Sequence, residues 1–167
     1  FFGPKGLGLL YVRPRTPFVG QMLGGSQERN RRAGTEDIPG AVGLARALSL
    51  AYADLEARNL HVEGLRDYLR DELPRRLEGV RLTGASDTSR RLPGSYSCCI
   101  DRLEGEAVLI QLDLNGFSAS SGSACTTGSL EPSHVLAAVG LPSDVARGSL
   151  RITLGHANTQ DQVDRLL

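Results

Sequence analysis

The chain has 167 residues, of which 40% are hydrophobic and 23% charged, a balance that suits one folded domain, or one domain and part of another, and excludes a disordered polymer. Nineteen Lys and Arg residues cancel nineteen Asp and Glu residues, so no net field favours nucleic acid or a membrane surface. No apolar run approaches the roughly 20 residues of a membrane span, Phe1-Phe2-Gly3-Pro4 lacks the order of a secretory leader, and three cysteines are too few for a disulfide scaffold. A cytoplasmic, reducing environment is expected.

Leu7 to Val12 (LGLLYV) reads as a short buried strand after a Gly-Pro-Lys-Gly turn. Arg13 to Gly40 has no sustained periodicity and reads as a long loop, a length that marks a functional or a disordered segment. Helical spacing follows over Ile38 to Leu55, through Val42, Leu44, Ala45, Leu48, Ala51, Tyr52 and Leu55. A second helix is predicted over Leu60 to Leu77, with Leu65, Tyr68, Leu69 and Leu73 on one face and Pro74 expected to kink or end it. Val80 to Thr83 and Ser95 to Ile100 read as strands around a polar turn region, Gly84 to Pro93. Glu104 to Leu112 reads as a helix, and Gly116 to Ala119 as a short strand leading into a serine-, glycine- and threonine-rich stretch. Ser133 suits the N-cap of a helix through Val139 that Gly140 stops. Leu150 to Leu154 is a strand candidate, and Thr159 with Gln162 has capping-box spacing for a last helix. The alternation gives an α/β or α+β class without repeats.

Chemistry-bearing residues are few. Eighteen of the nineteen basic residues are arginine, so any lysine-based covalent chemistry within the chain would fall to Lys5. Cys125 sits among small and hydroxyl residues with Gly122 and Gly128 nearby, a setting for an accessible thiolate, although a packed loop cysteine has the same signature. Cys98 and Cys99 are neighbours on a strand, point to opposite faces and read as structural. Arg151 lies between Leu150 and Ile152, either solvated or held for a carboxylate or phosphate. Arg29, Arg31 and Arg32 read as a solvated charge cluster. His61, His134 and His156 share no ligand spacing, so no metal site is expected. The glycine-rich opening precedes a strand and fails the context of a phosphate loop.

Several stretches, in order, resemble the pyridoxal-phosphate-dependent cysteine desulfurases of the class V aminotransferase family. They are Gly3 to Val12 (GPKGLGLLYV), Gly24 to Arg29 (GGSQER), Arg32 to Thr35 (RAGT), Leu103 to Glu106 (LEGE), Ser120 to Cys125 (SSGSAC), Glu131 to Leu136 (EPSHVL) and Leu150 to Gly155 (LRITLG). The resemblance covers nearly the whole chain, and its cysteine-loop block is the most specific. It implies the C-terminal part of a fold type I transferase: residues 1–45 as the end of a large cofactor-binding domain and 46–167 as a small α+β domain.

By the same resemblance, Cys125 matches the nucleophile that takes sulfur from L-cysteine as a persulfide and releases alanine. Arg151 matches the arginine that clamps the substrate carboxylate. Thr35 matches a threonine that contacts the cofactor phosphate of the other subunit, which implies a homodimer. A scaffold or acceptor protein for iron–sulfur assembly or thiolation is implied as partner. Lys5 matches a lysine other than the family's Schiff-base residue, which is expected just before Phe1. Gln27 and His156 stand where many relatives carry histidine and arginine. Selenocysteine lyase or cysteine sulfinate desulfinase activity is the alternative in the same fold, which the long Ser-Gly-Ser-Ala-Cys loop disfavours. A non-catalytic sulfur-accepting module is the alternative outside it, which the retained Arg151 and Thr35 disfavour.

Overall fold

The computed structural model describes residues 1–121 and 133–167. They divide into two compact units, Phe1–Leu55 and Glu56–Leu167.

In the first unit, the Gly3–Leu7 segment lies against helix α2 (Ile38–Ala53). The approach is close because the helix offers glycines. A Cβ on Gly40 would meet Leu7 Cδ1 at 2.6 Å, and one on Gly43 would meet Pro4 Cγ at 2.7 Å. Asp37 caps α2, its carboxylate accepting the Gly40 N–H at 3.0 Å, and Pro39 sits in the first turn, where a missing N–H costs nothing. The expected strand at Leu7–Val12 is absent: the segment is irregular and pairs with no strand among the described residues, and Leu9, Leu10 and Tyr11 are exposed. Apolar β-branched or leucine-rich runs make strands only where a neighbouring backbone completes the ladder, and none of the described residues does so here.

The stretch between Arg13 and Asp37 is irregular apart from one turn, α1 (Gln27–Asn30). Glu28, Arg29 and Asn30 within it have φ of 49°, 57° and 62°, a left-handed run that non-glycine residues rarely adopt.

The second unit is a mixed α/β domain around a three-stranded antiparallel sheet, β1 (Val80–Leu82), β2 (Ser95–Ile100) and β3 (Ser149–Thr153), in the order β1-β2-β3. Its alternating pattern makes one face apolar. Tyr96, Cys98, Ile100, Leu150 and Ile152 point to that face and pack with Leu65 and Leu69 of helix α3 (Leu55–Arg76) and Val163 of α7 (Gln160–Leu166). The opposite face carries Arg81, Ser95, Ser97, Cys99, Ser149, Arg151 and Thr153.

The remaining helices are α4 (Gly105–Leu114), α5 (His134–Ala138) and α6 (Ser143–Ala146). Ser133 and Gly140 delimit α5 as expected, with Gly140 at φ 87°, and the Thr159/Gln162 capping box forms in full. Helix α3 starts five residues before the expected Leu60 and runs two residues past Pro74, whose ring falls in the last turn; the Leu77 N–H still reaches the Leu73 carbonyl at 2.9 Å. No strand forms at Gly116–Ala119. The pairing instead occurs one residue later, as an isolated antiparallel bridge between Ser120 and Arg151. The four-residue α6 carries no periodic signal and is absent from the sequence reading.

Candidate active site

Arg151 is the anchor of the candidate site in the second unit. It is exposed in the middle of β3, flanked by the buried Leu150 and Ile152. Its backbone is fixed from both sides. On one side it stands opposite Ser97 of β2. On the other, its N–H donates to the Ser120 carbonyl at 2.6 Å and its carbonyl accepts the Ser120 N–H at 3.0 Å. Among the described residues the guanidinium forms no ion pair. A cation oriented by a rigid strand, with no carboxylate partner among the described residues, is suited to bind one bidentately.

Directly paired residues on antiparallel strands share a face. The pairings Ser97↔Arg151 and Ser120↔Arg151 therefore place two hydroxyl-bearing residues on the face of the sheet that carries the Arg151 side chain. Thr83 extends the row: its N–H donates to the Ser97 carbonyl at 2.9 Å and its hydroxyl to Ser97 Oγ at 2.7 Å. Arg91 in turn donates to the carbonyls of Thr83 and Ala85, pinning that end. Thr83 and Ser97 carry no mark of this in the sequence, and Ser120 enters there only as the first residue of the cysteine-loop block. Isolated serines in strands are unremarkable, and only the register shows that three hydroxyls and one arginine form a line across the sheet.

Cys125 lies outside the described residues. The chain that carries it departs from the bridge at Ser120 and returns at Ser133, the N-cap of α5. The other two cysteines are fully buried and reduced. Burial pushes the Cys98 thiol up to about 11, and burial, followed by the nearby Asp101 carboxylate, raises Cys99. Both are held as neutral thiols near neutral pH and cannot serve as nucleophiles.

In the first unit, Thr35 is exposed just after the α1 turn. Its neighbour Gly34 donates its N–H to Gln27 Oε1 at 3.2 Å, and Ala33 N–H donates to the Met22 carbonyl at 3.1 Å. Gln27, given no role in sequence reasoning, thus ties the two ends of the turn that presents Thr35. Lys5 is exposed in a two-residue turn beside Gly6 at φ 89°. Among the described residues no group of three His, Cys, Asp or Glu is placed to hold a metal ion, and no helix is long and apolar enough to cross a membrane.

A family model described as Aminotransferase class-V matches residues 1–166. A cysteine desulfurase, IscS, of Clostridium botulinum (strain Kyoto / Type A2) is 44% identical over 167 residues, which is 100% of this chain and 42% of the relative. A cysteine desulfurase of Gluconacetobacter diazotrophicus is 46% identical over 164 residues, covering 98% of this chain and 40% of its own. The solved structure of a NifS-like protein superposes with a TM-score of 0.81 at 32% identity, over 98% of this chain and 40% of that one. The chain thus spans about two fifths of the length of the relatives it matches.

Proposed function

This chain belongs to the class-V aminotransferase family, and from that premise we propose that it is the C-terminal part of a pyridoxal-phosphate-dependent cysteine desulfurase, in which Cys125 receives sulfur from L-cysteine. Residues 1–45 are then the end of the cofactor domain and 46–167 the small domain. The observation that carries this reading is the backbone bridge between Ser120 and Arg151. It ties the start of the cysteine-bearing segment to the one exposed cation in the middle of β3, so substrate recognition and sulfur acceptance share one anchor.

The cofactor's chemical demands suit the residues present. A phosphate dianion needs hydroxyl and cationic donors, and the exposed Thr35 follows a turn bearing Arg29, Arg31 and Arg32. Thr35 would hold that phosphate in the other subunit of a homodimer. Pyridoxal phosphate, when bound, supplies the electron sink that weakens the bond between the substrate's Cβ and its sulfur.

The chain's own residues do the rest. Arg151 fixes the substrate carboxylate with two parallel N–H···O bonds, which orients the sulfur. The Cys125 thiolate attacks that sulfur: an S–S bond forms, the Cβ–S bond breaks, and the carbon takes up a proton to leave as alanine. Because Cys98 and Cys99 stay protonated inside the domain, the persulfide is confined to Cys125, from which a cytoplasmic acceptor of the iron–sulfur or thiolation type collects it.

The test is sulfide and alanine release by the full-length polypeptide with added pyridoxal phosphate and cysteine, followed together with the visible absorption of the bound cofactor. Cys125→Ala should keep the cofactor band and lose turnover by at least about 100-fold, the scale of a lost nucleophile. Unchanged turnover in that variant would remove Cys125 from the reaction. A cofactor band that never forms would leave only a sulfur-accepting role.

A further inference from the structure

Resting on the reading of Arg151 as the carboxylate clamp, the row of hydroxyls beside it has a directional consequence. Hydrogen bonds in the β2–β3 ladder fall at Gly94/Leu154 and Ile100/Gly148, at 2.8 and 2.9 Å. Antiparallel bonding alternates, so Ser97 and Arg151 form a non-hydrogen-bonded pair, the type in which side chains approach most closely. The Ser97 carbonyl is already taken by Thr83 N–H, and the Arg151 backbone by Ser120. Of the Ser97 groups, the side chain is the one that faces what Arg151 holds.

Thr83 is 6% exposed, and the Ser97 oxygen is the partner of its hydroxyl. Were Ser97 to donate to Thr83, the Thr83 proton would be buried without an acceptor, the costlier arrangement. Thr83 therefore donates, which leaves the proton of the half-buried Ser97 free on the face that carries the Arg151 side chain. Serine is also a poor choice for the middle of a strand on packing grounds, where β-branched residues fit better.

We infer that Ser97 is a second carboxylate-binding residue, its hydroxyl donating to the substrate carboxylate alongside Arg151, with Thr83 as the positioning residue that points that proton outward. A carboxylate has about four lone-pair sites, and a bidentate arginine uses two of them, so a third donor is chemically accommodated.

Two thiol fragments, one bearing a carboxylate and the other an amine, separate this from a merely structural role. In the full-length holoenzyme, binding of 3-mercaptopropionate (carboxylate and thiol, no amine) and of cysteamine (amine and thiol, no carboxylate) is measured by titration calorimetry, beside KM and kcat for cysteine. Ser97→Ala should weaken 3-mercaptopropionate about tenfold, as expected for a hydrogen bond to a charged group. It should raise KM similarly, keep kcat within about twofold, and leave cysteamine unchanged; Ser97→Thr should restore binding and Thr83→Val should give part of the loss. If Arg151→Ala weakens 3-mercaptopropionate and Ser97→Ala does not, the role of Ser97 is overturned while the clamp stands. Equal weakening of both fragments by Ser97→Ala also overturns it. If Arg151→Ala leaves 3-mercaptopropionate binding intact, the clamp itself fails and the inference with it.

Discussion

The register that sets Arg151 opposite Ser97 depends on a residue with no side chain. Gly148 immediately precedes β3, and a Cβ there would lie 2.0 Å from the Ile100 carbonyl oxygen and 3.1 Å from that of Leu103. Since Cβ–oxygen approaches below 3.0 Å do not occur, Gly148→Ala must drive the two backbones apart by about 1 Å, and both obstacles are main chain that no rotamer change can move. Overpacking of this kind costs roughly 1–3 kcal/mol. The displaced Ile100 N–H to Gly148 carbonyl bond, 2.9 Å long, adds about 1 kcal/mol, for a total of roughly 2–4 kcal/mol. Gly64, exposed in α3 with nothing within 4 Å of its added Cβ, provides the opposite case. There the same substitution should stabilise by about 0.5–1 kcal/mol, through helix propensity and a less free unfolded chain. Urea unfolding read by tyrosine near-ultraviolet dichroism, in which the fully buried Tyr96 reports on the sheet, distinguishes them. With a slope of about 1.5–2 kcal/mol/M, the Gly148→Ala midpoint should fall by about 1–3 M and the Gly64→Ala midpoint should rise slightly. Equal midpoints for the two variants would refute the steric reasoning, and with it the account of how the strand register is fixed.

Two further outcomes rest on buried chemistry. Near pH 8, a thiol reagent should find Cys98 and Cys99 unreactive in the folded protein and all three cysteines reactive in denaturant. The same burial predicts an alkaline limb. Cys98 titrates in the folded state at about 11 against an ordinary value of 9.0. Its contribution to stability is therefore complete below about pH 9 and is lost as pH rises through about 11. Cys98→Ala should make stability fall less steeply above about pH 9, the remaining slope coming from Cys99, which burial also raises, and at higher pH from Tyr96, whose phenol burial pushes upward; an unaltered limb would show that the Cys98 thiol does not control it. Asp67 bridges the buried Arg66 at 3.0 Å and Arg70 at 2.8 Å, and among the described residues Arg66 otherwise reaches only the Leu92 carbonyl at 3.3 Å. Asp67→Ala should cost roughly 1–3 kcal/mol, less than for a wholly buried pair because Asp67 is partly in solvent. Asp67→Asn, which keeps an acceptor, should recover part of it in thermal unfolding.

The elements whose signals are local were legible in the chain itself. Period-2 alternation gave β2 to the residue, capping chemistry gave the start of α7, and a serine–glycine frame gave α5. Leu7–Val12 misled because its composition is that of a strand, while strand formation depends on a partner backbone that local sequence does not specify. The bridge at Ser120 and the alignment of Thr83, Ser97 and Arg151 were invisible for the same reason: cross-strand register is a long-range property. Gln27 had a different obscurity, since an amide seven residues from the backbone it holds leaves no periodic trace.

The bridge at Ser120 also acts as a tether post. Cys125 is five residues along the chain from it, and an extended chain advances at most about 3.6 Å per residue, so chain length bounds its Cα to within about 18 Å of Ser120, and its sulfur to within about 21 Å. Under the proposed function, that radius sets the geometry of delivery. An acceptor must bring its receiving atom within it, so its docking footprint has to border the rim of the small domain near Arg151, and an acceptor too bulky to approach that rim is excluded by chain length alone, whatever its affinity for the rest of the surface.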